Sequence, residues 1–419
     1  ASSAARNNTH LPPKKNNSRA SKRTMQTLAQ LQATARQMLT ADILPYWMNR
    51  MVDPRGGFYG RIDGHDTVHP DAPKGTILCA RILWTFSAAY RLLGDPAYLD
   101  MATRAKRTLL DDFLDPLYGG VFWSLHPDGT PLDTKKQIYA IGFAIYGLSE
   151  YARATDDPEA TDHAVQLFGD IERHSFDPRM GGYFEAFTRQ WGEIADMRLS
   201  DKDANERKTM NTHLHILEPY TNLYRVWPDR HLAEQIRHLI DVFLTRILDP
   251  STHRLRLFFD DDWHSRVPST SFGHDIEASW LLYEAAEVLD DAELLRRVAD
   301  ETRLMAEHAY LADPLTGQPE DIVGQPRQWW EYAESVVGNF NVWQHHGHPS
   351  ALDRALAALR YIQTHLVDSE HGEWYWSAGT PAEGFTPNRT DDKAGFWKCP
   401  YHNGRMCMEL MQRIQQMEK

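Results

Sequence analysis

The stretch DPRGGFYG, residues 53–60, opens on Asp-Pro, gains positive φ from Gly56-Gly57 and runs into Phe58-Tyr59 as the start of a short strand. The chain writes nearly the same words again as DPLYGGVFW from Asp115 and DPRMGGYFE from Asp177. Looser echoes start at Asp249 (DPSTHRLRLFF), Asp313 (DPLTGQPED) and Asp368 (DSEHGEWYW). Successive aspartates stand 62, 62, 72, 64 and 55 residues apart, and the segments between them carry a helical period. In GTILCARILWTFSAAYRLLG (75–94), Ile77, Ala80, Arg81, Trp84, Ala88 and Leu92 recur near every 3.6 residues, and Gly94 is placed as a C-cap. A second helix is expected over 97–115. The same order returns with helices over 137–155 and 158–176 before the next Asp-Pro turn.

Two helices and one small hairpin per unit, about six times over, define a periodic helical architecture. Units near 60 residues exceed the roughly 20–45 of linear solenoids. The first helix of a unit (137–155) is apolar nearly all round, whereas the second, as in PDRHLAEQIRHLIDVFLTRIL (228–248), is amphipathic. An enclosed helix followed by an outward one predicts an all-α fold. We expect an (α/α)6 barrel of about twelve helices, with short β-hairpins at one rim around a central pocket. Residues 25–419 read as one domain. Residues 1–24 are basic and polar without an apolar signal core, and read as a disordered N-terminal arm or an upstream segment. For most of the six, the Asp-Pro turn reads as a helix stop and no more.

Composition narrows the function. Hydrophobic residues at 42% can fill a large core, and a net charge of −13 argues against binding the phosphate backbone of nucleic acid or an anionic membrane. No apolar run has transmembrane length. Three cysteines, Cys79, Cys399 and Cys407, form no CxxC; they fit a reducing, cytoplasmic setting and offer no zinc site.

Histidines keep non-random company. In MNTHLHILEPYTNLYRVW (210–227), Asn211, His215 and Glu218 share a helix face, and His213 points elsewhere. In FGHDIEASWLLYEAAEVL (272–289), His274 and Glu277 stand three apart, so the carboxylate can orient the imidazole or hold a hydroxyl. His402, in FWKCPYHNGR, is expected just before a helix, where the positive dipole end favours the neutral base. Each alone reads as readily as a satisfied structural residue. Three on separate inner helices point to acid–base chemistry, for which a pKa of about 6.5 is suited. The HLH of 213–215 and the QHHGH of 344–348 invite a metal. Alternate helix residues cannot face one ion, 344–348 reads as a solvated loop, and no metal is expected. Trp280, Trp329, Trp330 and Trp397 lie near these histidines, with Glu334 four residues past Trp330. Indoles stack on sugar rings; core packing is the plain alternative. Of the adjacent Trp329 and Trp330, one is expected to reach the pocket.

On the motifs MNTHLHILE, SFGHDIEASWLL, QWWEYAE and FWKCPYHNGR, the sequence resembles the cellobiose 2-epimerases of the wider N-acylglucosamine 2-epimerase superfamily, over about residues 28–415. The resemblance implies an (α/α)6 barrel that needs no cofactor and works as a monomer. It implies reversible epimerisation at C2 of the reducing-end glucose of β-1,4-linked disaccharides through a cis-enediolate. Cellobiose would give glucosyl-mannose, and lactose would give epilactose. His274 and His402 would be the acid/base pair, His215 would assist ring opening, and Arg81 would stabilise the enediolate. Asn211 and Glu277 would orient substrate and histidine, and Trp329, Trp330 and Trp397 would form the sugar platform. Trp280 and Glu334 are counted with the substrate-binding residues. Three alternatives stay open: a mannose/glucose 2-epimerase, a glycoside hydrolase using carboxylates such as Asp261, Asp275 or Glu334, and a sugar-binding module.

Overall fold

The helical period is realised almost where the apolar spacing placed it. The computed structural model describes residues 17–311, 327–380 and 383–418. In chain order the helices are α1 (Asn17–Gln37), α2 (Leu44–Arg50), α3 (Thr76–Leu93), α4 (Pro96–Thr108), α5 (Ile138–Thr155) and α6 (Pro158–His174). There follow α7 (Met210–Val226), α8 (Arg230–Val242), α9 (Phe272–Val288), α10 (Ala292–Leu311), α11 (Trp329–His346), α12 (Pro349–Tyr361) and α13 (Tyr401–Met417). Local chemistry sets the ends. Gly94 stops α3 at φ 73°, and Asp95 and Asp157 cap α4 and α6 through the amides of Ala97 and Glu159, with proline at the first helical position.

The odd-numbered helices from α3 onward close a ring: each packs on the next, and α13 packs back on α3. They are apolar because neighbours surround them; α5 is buried from Ile138 to Ala152. Helices α4, α6, α8, α10 and α12 return outside their partners, and α1 covers α13. This is an (α/α)6 barrel whose sixth pair is split between the two ends of the chain. Helix α1 begins at Asn17, so residues 17–24 of the segment read as a disordered arm are helical; residues 1–16 lie outside the described residues. The expected hairpins are strands of two or three residues and single bridges such as Leu114 to Val121 and Phe176 to Tyr183.

The Asp-Pro turns do more than stop helices. Asp53, Asp115, Asp177 and Asp368 are buried, and each binds a buried lysine: Lys74 at 2.9 Å, Lys136 at 2.8 Å, Lys208 at 2.6 Å and Lys393 at 2.7 Å. The first three lysines stand two residues before α3, α5 and α7. Each of these three clamps therefore ties a turn that follows the preceding helix to the start of an inner one, at the rim where the inner helices begin. Asp249 departs from the pattern and caps Ser251 instead, and Asp313 lies outside the described residues.

Candidate active site

Because all six inner helices start at the same rim, their first turns surround one cavity of about 410 Å3. Its wall takes Arg81 from α3, Tyr139 from α5, Asn211 and His215 from α7, His274 and Glu277 from α9, and Trp329 and Trp330 from α11. Trp397 and His402 complete it ahead of and on α13, and residues 199–203 lie at the mouth. Both tryptophans of the adjacent pair line the wall, where one was expected. Trp280 and Glu334 do not line it. Trp280 is 1% exposed and donates its Nε1–H to Glu334 Oε2 at 2.8 Å, so the two form a layer behind His402.

The three histidines are held differently. His215 gives Nδ1–H to Glu218 Oε2 at 2.7 Å, which leaves Nε2 free, and packs against Tyr139 and Phe143 with ring centroids 4.9 and 5.0 Å away. His402 is the second residue of α13 rather than the residue before it, and its Nδ1 binds Glu334 Oε1 at 2.7 Å. His274 Nδ1 binds the hydroxyl of Ser271, the N-cap of α9, at 2.8 Å. Ser271, not Glu277, is thus the partner that orients it. The Trp330 ring stands 4.8 Å from His274 and 5.5 Å from His402, so both imidazoles pack on one indole. Burial lowers all three imidazole pKa values, to about 3 for His274 and His402. Desolvation is the leading cause for His402, where a helix dipole was expected to keep the ring neutral.

Arg81 lies over the Phe143 ring at 4.3 Å, donates to the Tyr139 hydroxyl at 2.8 Å and reaches Cys399 Sγ at 3.4 Å. Buried polar atoms on the wall that lack a partner among the described residues are Arg81 Nε, Asn211 Oδ1, Glu277 Oε2 and Trp329 Nε1. Such atoms are costly unless a polar ligand satisfies them.

Beneath the wall sits Arg405, which the motif reading passed over. Its guanidinium binds Glu218, Glu277 at 3.0 Å and Glu334 at 2.7 Å. Two of those glutamates carry the histidine bonds just described. The signal was present as a spacing of three, from His215 to Glu218 and from His402 to Arg405, but the partners it joins stand up to 187 residues apart. His213 is structural: its ring binds the Thr209 carbonyl and accepts from the Tyr183 amide. His345 and His346 end α11 rather than lying in a loop, and His345 packs on Tyr283 at 4.2 Å.

Two sets of residues in the wall and the layer behind it could approach a metal. In His215, His274 and Glu277 the ligand atoms lie within 4.8 Å of one another, with 4.0 Å from His215 Nε2 to Glu277 Oε2. Bonds of about 2.0–2.1 Å would draw the ligands closer than that. In Glu277, Glu334 and His402 the carboxylates already share the Arg405 guanidinium. The arrangement suits proton transfer: imidazoles kept neutral by burial on separate helices, a fixed guanidinium, and indole faces beside them.

Fold and cavity together define a helical toroid closed around a histidine-lined cavity. The model of the N-acylglucosamine 2-epimerase (GlcNAc 2-epimerase) family matches residues 57–390. A cellobiose 2-epimerase of Bacteroides fragilis is 58% identical over 89% of this chain and 96% of its own. One from Ruminococcus albus is 38% identical over 90% and 97%. The structure of cellobiose 2-epimerase from Spirochaeta thermophila superposes with a TM-score of 0.86 at 38% identity, over 94% of this chain and 98% of that one. The chain belongs to the N-acylglucosamine 2-epimerase family, and the three relatives just named are cellobiose 2-epimerases. No helix among the described residues is long and apolar enough to cross a membrane.

Proposed function

We propose that this enzyme epimerises C2 of the reducing-end glucose of β-1,4-linked disaccharides, interconverting cellobiose with glucosyl-mannose and lactose with epilactose. One observation carries the proposal: His274 and His402, from separate helices, stand against the same Trp330 indole in the cavity, and burial holds both imidazoles well below their ordinary pKa. Inverting a carbon through an enolate needs proton transfer at both faces, and two imidazoles on separate helices meet that need. His215 assists ring opening. One of His274 and His402 removes the C2 proton, the cis-enediolate forms beside the Arg81 guanidinium, and the other imidazole returns a proton to the opposite face. Trp329, Trp330 and Trp397 give the sugar its apolar platform, and Asn211 offers an acceptor to its hydroxyls. Glu334 and Trp280 act from behind, by orienting His402. Three buried free thiols support a reducing, cytoplasmic setting.

Glycoside hydrolysis is supported less well. It asks for two carboxyls across the scissile bond, whereas Glu277 and Glu334 share one guanidinium nitrogen and Asp275 is held by Arg254. The test is incubation with cellobiose, lactose and mannose in D2O, following C2 by NMR. Deuterium enters C2 of the disaccharides with the glycosidic bond intact; His274→Ala and His402→Ala each abolish the label while the fold survives. Release of free glucose, or near-normal labelling in either variant, would defeat the proposal.

A further inference from the structure

Three carboxylates converge on one guanidinium, and the donors around them are shared unequally. Glu218 accepts from Arg405, from His215 Nδ1 and from the Tyr401 hydroxyl. Glu334 accepts from Arg405, from His402 Nδ1 and from Trp280 Nε1. Glu277 receives Arg405 alone, on Oε1. Its Oε2 is buried in the cavity wall without a partner among the described residues, 4.0 Å from the free Nε2 of His215. A single guanidinium does not compensate three buried negative charges, so one carboxyl keeps its proton, and the one with fewest donors is Glu277. The electrostatics agree. Burial and then the neighbouring Glu334 push the Glu277 carboxyl well above the usual range. In Glu218 and Glu334 burial is outweighed by Arg405 and the histidine bonds, which bring both to about 2.

We propose that Glu277 is a neutral carboxylic acid and that, with His215 Nε2, it forms the acid–base couple that opens and recloses the sugar ring. This rests on the epimerase reading above and adds the acid that ring opening requires. In opening, His215 Nε2 takes the proton of the anomeric hydroxyl. The carbonyl forms at C1 as the bond from C1 to the ring oxygen breaks, and the ring oxygen takes the Oε2 proton of Glu277. The site is left with an imidazolium backed by Glu218 and a carboxylate held by Arg405; closure runs both transfers backwards. Net charge is unchanged in either direction, which suits a dry site where an uncompensated charge is expensive.

Infrared difference spectroscopy tests the proton, and exchange NMR of the anomers tests the step. At neutral pH, wild type minus Glu277→Gln is expected to show a protonated-carboxyl band that moves in D2O; a carboxylate band in its place overturns the assignment. In cellobiose, Glu277→Gln is expected to lose about a hundredfold or more in both enzyme-catalysed anomer interconversion and epimerisation. Glu277→Asp, which keeps the acid, recovers part of both. His274→Ala loses epimerisation but still interconverts anomers. Wild-type anomer interconversion in Glu277→Gln overturns the couple. Should the wild type show the protonated band yet neither epimerise nor exchange C2, the epimerase reading fails and the protonation state stands.

Discussion

An imidazole is a base only while it is unprotonated, and in this site burial keeps it so. His274 and His402 sit at about 3, below their ordinary value, so the neutral form persists as pH falls and is lost only near that lowered value. We therefore expect kcat/KM for cellobiose to stay level between about pH 5 and 8. A pH–rate profile with a step near about 6.5, the value of a solvated histidine, would show that the rings are not desolvated in the working enzyme. At this scale the sequence was informative about residues that carry chemistry on their own face. His215, His274 and Asn211 stood out by their spacing on helix faces, His402 by its place at a helix start and Arg81 through the family resemblance, and they do meet in one cavity. Their supports were harder to see. Arg405 looks like any arginine until folding brings Glu218 and Glu277 to it from 187 and 128 residues away.

Helix positions followed from apolar spacing and caps, but the joints between helices did not. An Asp-Pro-x-x-Gly-Gly turn explains itself locally, through glycines such as Gly181 and Gly182 at φ 74° and 77°. Nothing local reports that Asp177 will meet Lys208, 31 residues on. Lys208 is fully buried and gives its three ammonium protons to Asp177 Oδ2 and to the carbonyls of Gly181 and Asp261. Lys208→Met leaves a buried carboxylate unpaired and is expected to cost about 3–5 kcal/mol. Replacing Asp177 as well should restore much of that loss, because the uncompensated charge then goes too. Denaturant unfolding of the single and double variants measures both. Unfolding at wild-type stability in Lys208→Met would reduce the clamp to a bystander. The same clamps set the acid limit. In Asp53 burial is outweighed by hydrogen bonds from Arg55 and Lys74, which bring it to about 2. A depressed carboxyl of this kind stabilises the fold above its unfolded value of about 3.9 and ceases to do so as pH drops through the folded one.

For the whole molecule, closing the ring fixes both its field and its weak point. The parallel inner helices turn their N-terminal, positive ends toward the cavity where an enediolate would develop. At the opposite end Arg91, Arg153 and Arg225, in the last turns of α3, α5 and α7, pair with Glu150 and Glu284. Six units were legible as a repeat, but the split sixth pair was not, because α1 has no Asp-Pro unit before it to mark it as an outer helix. The two chain ends meet at Glu373. It accepts from Trp47 Nε1 of α2 at 2.5 Å, from Lys398 at 2.9 Å and from Asn403 at 2.6 Å, the last two on either side of the stretch that ends in His402. Its amide donates to Asp42 Oδ1 at 2.8 Å, while Asp42 Oδ2 is buried without a partner among the described residues. Burial, and then the Glu373 charge, raises Asp42 to about 7. A carboxyl raised on folding contributes fully below its unfolded value of about 3.9, and that contribution is lost as pH rises through the folded value. Asp42→Asn keeps the Oδ1 acceptor and removes the titration. Thermal melts of wild type and Asp42→Asn should nearly coincide at or below about pH 4 and draw apart up to about pH 7, with the variant the more stable from there upward. Coincident melts throughout would mean that Asp42 meets water in the folded ring and that the closure carries no buried charge.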